Sequence, residues 1–203
     1  MVIAYHCVVA AYGFWLPNDP RGSWSDYVRK SSLAEFGPAT KTTARHSVAS
    51  KRVSPEAWQR NRQAKQSLDF PPVRFNAEQI QAIAAAIADG VARSGFLIYA
   101  ASLMWDHAHW VIGRHRYSIE QVINRLKGAA TRELTARNLH PLARFAQSDG
   151  SIPSPWAAGL WKVFLNTPAD VERAIQYTDR NPERANLPPQ VWPFIKPYHP
   201  QPV

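Results

Sequence analysis

The stretch from Phe96 to Ile112 leaves this chain little freedom in what it can build. Phe96–Met104 (FLIYAASLM) is an almost unbroken apolar run, as expected of a strand buried on both faces. Only Trp105 and Asp106 separate it from His107-Ala108-His109-Trp110-Val111-Ile112, which alternates with a period of two. In a strand, alternate side chains leave opposite faces, so His107, His109 and Val111 point one way and Ala108, Trp110 and Ile112 the other. Two strands joined this tightly form an antiparallel hairpin.

Helices are expected on either side of the hairpin. Asn76 with Gln79 three residues on can cap a helix whose Ile80, Ile83, Ile87 and Val91 form one apolar stripe, with Gly95 just past its end. Ser118 with Gln121 opens a second, running to about Asn138, with Ile119, Val122, Ile123, Leu126 and Leu134 as its core stripe. Val2–Tyr12 reads as a first central strand and Gly159–Leu165 as a short last one. Thr167, Pro168 and Asp170 then start a third helix that reaches Arg180 or slightly beyond. The order β-α-β-β-α-β-α predicts an α+β, ferredoxin-like (RRM-like) antiparallel sheet with helices on one face, followed by a C-terminal tyrosine-bearing helix. In that arrangement the first strand lies beside the histidine strand.

Residues 1–187 are read as one domain, with a long basic insertion at about 13–75 in which Pro55–Gln66 forms a short helix. An insertion contacting the partner is favoured over a disordered loop. Residues 188–203, with six prolines, are expected to be an extended strap. The lone Cys7 sits in an apolar run and reads as buried filler; it leaves no internal disulfide and no cysteine-based zinc cluster. With no apolar run long enough for a membrane span and no signal-peptide flanks, a cytoplasmic location is expected.

Charge speaks for the partner. The chain carries a net +9 at pH 7, which points to a polyanion, most often nucleic acid. The excess concentrates in 26–75, with ten Lys/Arg against four Asp/Glu, and in 114–144, with seven against two. Eight tryptophans accompany it, about half of them expected in the core and the rest able to stack unpaired bases. Arg125, Lys127 and Arg132 on the second helix, and Trp15, Arg21 and Trp24 in the insertion, are the candidate nucleic-acid contacts.

His107 and His109 leave one face with their bases about 7 Å apart, close enough to lean onto one divalent ion. A His-x-His pair alone is more readily structural. Tyr177 and Asn181, however, stand four apart at the end of the third helix and so share a face. The apolar stripe Val171, Ala174, Ile175 and Thr178 would dock that helix on the sheet. A phenol there could attack a bound phosphodiester, and a carboxamide oxygen could be a third ligand for a hard ion. Asp106 reads as a turn residue, with orientation of a histidine as the alternative, and His6 as a core or surface histidine, with a place facing the metal site as the alternative. His46, His115, His140 and His199 have no evident partner.

His107-Ala108-His109 followed by Tyr177-Thr178-Asp179-Arg180-Asn181-Pro182 resembles the single-tyrosine HUH (Y1) transposases of the IS200-like type, and most nearly the REP-associated tyrosine transposases. Leu126-Lys127-Gly128 and Leu160-Trp161-Lys162 match that branch, and Trp15-Leu16-Pro17-Asn18-Asp19-Pro20-Arg21-Gly22 is similar to a segment of some IS200-like proteins. Residues 26–72 and the strap lie outside the resemblance. Ala108 is smaller than the family's usual apolar residue, on the face away from the histidines.

The resemblance implies a bacterial, nucleoid-associated enzyme that nicks and rejoins single-stranded DNA, often beside a hairpin. His107, His109 and Asn181 would hold Mg²⁺ or Mn²⁺, and Tyr177 would form a 5′-phosphotyrosine link. A phenol is a poor nucleophile at neutral pH and needs help from a metal or nearby cations. Paired histidines favour zinc, so amide and phosphate oxygens must harden such a site. The resemblance leaves monomer or homodimer open, and with it whether Tyr177 acts in its own subunit. The alternative function is a non-catalytic, domesticated regulator that binds single-stranded nucleic acid on the same fold.

Overall fold

The computed structural model describes residues 1–42 and 48–200; His46 and the last three residues of the strap fall outside them. Four strands, β1 (Ala4–Ala10), β2 (Ile98–Leu103), β3 (His107–Gly113) and β4 (Trp161–Leu165), form one antiparallel sheet in the order β2-β3-β1-β4. This is the ferredoxin-like order expected from the sequence, with the histidine strand beside β1. In the pairing, Val8 stands opposite His109 and Ala10 opposite His107.

Two long helices, α3 (Ala77–Ser94) and α4 (Ile119–Ala136), cover one face of the sheet. Both begin in the expected reciprocal caps, Asn76 with Gln79 and Ser118 with Gln121, each satisfying donors a helix start leaves open. Gly95 closes α3 in the left-handed conformation at φ +67°. Ile83 and Ile87 of α3, Ile123 and Leu126 of α4, and Cys7, Val9, Trp110 and Ile112 of the sheet build the main core. Burial pushes the Cys7 thiol well above its ordinary range, consistent with inert filler.

The opposite face takes one helix, α5 (Pro168–Asp179), through Val171 and Ala174 against Ala4, Ala100, Val111 and Leu165. Period-two alternation therefore sends Ala108, Trp110 and Ile112 to the two-helix side, and His107, His109 and Val111 to the α5 side. After α5 the chain passes through Arg180 into a one-turn helix, α6 (Asn181–Arg184).

Gly13 turns the chain out of the region of β1 at φ +73°, where a Cβ would stand 2.8 Å from Leu68 Cδ1. Beyond it lie the short α1 (Ser31–Ala34) and α2 (Pro55–Gln66), the latter with the bounds expected from sequence. Leu16, Leu33 and Ala64 give this segment a small core of its own. The strap is extended and runs along the β2 edge. Gln190 bonds both backbone groups of Leu103, Lys196 N–H donates to the Ile98 carbonyl at 2.8 Å, and Trp192 and Phe194 are buried in the main core. An otherwise open strand edge is thereby covered. Among the described residues, no helix is long and apolar enough to cross a membrane.

Candidate active site

The α5 face of the sheet gathers His6, His107, His109 and Tyr177. The rings of His107 and His109 stand 5.0 Å apart, edge to face. Tyr177, in the last turn of α5, places its ring 5.6 Å from His109 and 5.6 Å from His6. The docking stripe on α5 does the positioning: Val171 is fully buried and Ala174 nearly so, which holds the helix end over the strand that carries the histidines.

Each histidine is held at one nitrogen. His107 Nδ1 lies 2.7 Å from Asp106 Oδ1, so Asp106 does more than turn the chain. Such carboxylate–imidazole pairs fix the tautomer and leave Nε2 free. His109 Nδ1 lies 3.2 Å from His6 Nε2, with the two rings stacked. His6 thus faces the site, the lesser of the two places its sequence position allows. Its signal was its position on β1: with Cys7 and Val9 in the main core, His6 must face α5.

Burial governs the charge here. His109 is 6% exposed and its pKa is driven well below the ordinary value, first by burial and then by His107, His6 and Arg184. Burial lowers that of His6 to about 4. Both rings are neutral at pH 7, so one donates the shared proton and the other accepts. Only if His109 donates from Nδ1 does its Nε2 keep a lone pair for a metal.

The insertion closes one side of the site. Phe14 stacks face to face on His107, with centroids 5.1 Å apart and planes within 3°. Lys65 of α2 donates to the Phe14 carbonyl at 2.9 Å; burial lowers its pKa, while the Asp19 and Asp106 carboxylates act in the opposite direction. On the far side the Arg184 guanidinium lies 4.7 Å from the centre of the Tyr177 ring.

Asn181 is the first residue of α6, one turn beyond Tyr177. Its Nδ2 is buried without a hydrogen-bond partner, and among the described residues no hydrogen bond joins the side chain to Tyr177 or to either histidine. An amide with an unused buried atom suits a ligand role, since its two ends exchange by a simple flip. Among the described residues no group of three or more His, Cys, Asp or Glu side chains is placed to hold a metal ion. A metal would thus rest on the two free Nε2 atoms, with oxygen from the amide or the substrate. The residues fit a hard divalent ion to that extent.

The expected nucleic-acid contacts part company in the structure. Lys127 lies on α4, across the sheet from the histidines; its Nζ donates to the Ala157 carbonyl at 2.8 Å and burial lowers its pKa. Arg125 and Arg132 line a cleft of about 530 Å³ on that same side, together with Arg93. Arg21 gives two bonds of 2.8 Å to the fully buried Asp19, and its guanidinium lies 3.8 Å from the Trp15 ring centre. Trp15 donates to the Gly22 carbonyl at 2.8 Å. Arg21 and Trp15 therefore serve the insertion's own framework. Trp24 alone of this group is both exposed and next to a site-lining ring, Trp161.

Residues 72–149 match the model of a family described as Transposase IS200 like. No curated protein matches the chain. Among solved structures, the chain is similar to that of the REP associates tyrosine transposase bound to a REP hairpin, at 13% identity and a TM-score of 0.47, covering 95% of this chain and 74% of that one. It is also similar to a candidate transposase from Deinococcus radiodurans, at 14% identity and a TM-score of 0.37, covering 88% of this chain and 92% of that one. The matched segment holds α3, β2, β3 and α4; Tyr177 and Asn181 lie beyond it. The part of the chain that forms the paired-histidine hairpin and its two covering helices is similar in sequence to the IS200-like transposases.

Proposed function

We propose that the protein nicks and rejoins single-stranded DNA through a covalent 5′-phosphotyrosine intermediate on Tyr177. One observation carries the reading: the Tyr177 ring packs 5.6 Å from His109 on the face that also presents His107. The similarity of residues 72–149 to IS200-like transposases and the net charge of +9 support DNA as the substrate.

His107 and His109, with Asn181, would hold Mg²⁺ or Mn²⁺; such an ion supplies Lewis-acid polarisation of the scissile phosphate. The protein's own groups do the rest. Asp106 and His6 hold the two imidazoles in one tautomer and one orientation. Tyr177 is the nucleophile: its oxygen bonds to phosphorus as the bond from phosphorus to the 3′ oxygen breaks. The phenolic proton goes to water and the departing oxygen takes one up. One phosphodiester replaces another, so the reverse attack by a 3′-hydroxyl needs no external energy source. Arg184, beside the phenol, adds positive charge where phosphate charge would gather. Contact between Tyr177 and histidines of the same chain supports attack in cis.

The test is incubation with labelled single strands carrying a hairpin, with Mn²⁺ or Mg²⁺, followed by denaturing electrophoresis. A protein–DNA adduct that Tyr177→Phe abolishes supports the enzyme. Binding without an adduct leaves the non-catalytic regulator as the better reading.

A further inference from the structure

Trp24 is 51% exposed and belongs to the insertion, outside the segment that matches the transposase family. A single exposed tryptophan is ordinary. Its surroundings are less so. The Trp24 ring meets Trp161 edge-on, with centroids 5.6 Å apart at 85°, and Trp161 meets His6 edge-on at 5.4 Å and 90°. His6 in turn touches Tyr177 at 5.6 Å. An unbroken series of rings therefore runs from solvent, over β4, to the candidate nucleophile.

The path is open where it needs to be. β4 is the last strand of the sheet, and among the described residues no strand pairs with its outer edge. At the inner end Arg184 lies over Tyr177 and has no acidic partner among the described residues. An aromatic surface at the entrance and a free guanidinium at the phenol suit the two parts of a nucleotide, a flat base and a charged phosphate.

We propose that Trp24, backed by Trp161, is a stacking subsite for an unpaired base next to the phosphate that Tyr177 attacks. The proposal rests on the reading of single-stranded DNA as substrate and deepens it. Every base has a π-face, so the subsite positions the strand without choosing its sequence. It requires the base to be unpaired, because a stacked duplex base offers no free face on which the indole can lie. The insertion thereby becomes part of the substrate cleft.

The experiment uses full-length Tyr177→Phe protein without added metal, so that binding is read apart from chemistry. Single-stranded oligonucleotides carry the fluorescent base 2-aminopurine at successive positions, and affinity is followed by anisotropy. Quenching confined to positions beside the nick site is expected. Trp24→Ala should remove that quenching and weaken binding about fivefold or more, as loss of one stack implies. Trp24→Tyr should keep most of the affinity. Trp24→Leu, which retains bulk but not a π-face, should behave like Trp24→Ala. Affinity unchanged in Trp24→Ala, full affinity in Trp24→Leu, equal dependence on Trp24 with duplex DNA, or no binding to any single strand would each overturn the subsite. Failure of Tyr177 to form an adduct, with stacking intact, would instead overturn only the strand-transfer reading.

Discussion

His6 and His109 lie on neighbouring strands and share a hydrogen bond, Nε2 to Nδ1, at 3.2 Å. The bond orients the His109 ring, and with His109 donating from Nδ1 its Nε2 remains free for a ligand. His6 is therefore a positioning residue, acting through His109.

Replacing His6 by Phe preserves an aromatic ring and removes the acceptor. Loss of an outer partner of a metal-binding histidine typically costs 10- to 100-fold in metal affinity. Mn²⁺ titration of His6→Phe, followed by electron paramagnetic resonance, should show a rise of that order in Kd. An unchanged Kd would mean that His6 merely fills space.

The same pair makes stability depend on pH. Burial holds the His6 pKa at about 4, against 6.5 for a free imidazole, and lowers that of His109 as well. Between those values the unfolded chain binds protons that the folded chain refuses. The His6 contribution is complete above about pH 6.5, declines as pH falls through this window and levels off below about pH 4, a loss of roughly 3 kcal/mol, and His109 adds a loss in the same direction. Urea unfolding of metal-free protein at intervals from pH 7.5 to 4 measures it, and the slope should be shallower in His6→Phe.

Phe14 links the insertion to His107. Phe14→Leu keeps apolar bulk but gives up the stacked face on His107, a change worth about 1 kcal/mol of stability. Urea unfolding should show that loss. Mn²⁺ affinity should fall with it, because the stacked ring restrains His107.

The strap covers the β2 edge and contributes two aromatic side chains to the core. Trp192→Ala should destabilise the protein by about 3–5 kcal/mol, as expected for truncating a buried tryptophan. Gln190→Ala leaves the Leu103 N–H and carbonyl without their partner and should cost about 1–3 kcal/mol. Light scattering on either variant should reveal self-association as the edge becomes available.

What could be read from sequence was local. The three helix N-caps, the hairpin across Trp105–Asp106 and the alternation of His107–Ile112 each depend on a few adjacent residues, and the structure has them where expected. Tyr177 beside the histidine strand followed from the docking stripe on α5. His6 was legible only as an alternative to a core or surface histidine, because its role depends on a contact with a residue 103 positions away. Outside α2 the insertion was opaque for another reason: Leu16 and Leu33, which pack with Ala64 of that helix, carry no period to announce them. For the same reason Arg21 looked like a free cation, although the buried Asp19 uses its guanidinium. Lys127 lay on a surface stripe by periodicity, yet the loop carrying Ala157 folds back so that its carbonyl accepts a hydrogen bond from the ammonium.

Formation of a covalent DNA adduct at Tyr177 tests the central claim most directly. With hairpin-bearing single-stranded DNA and Mn²⁺, a denaturation-resistant adduct should form, and mass spectrometry of its peptides should place the phosphate on Tyr177. His107→Ala and His109→Ala should each reduce its rate at least about 100-fold, as expected when an interaction made in the transition state is lost. An adduct undiminished in Tyr177→Phe, or none with any hairpin-bearing strand, would contradict the account.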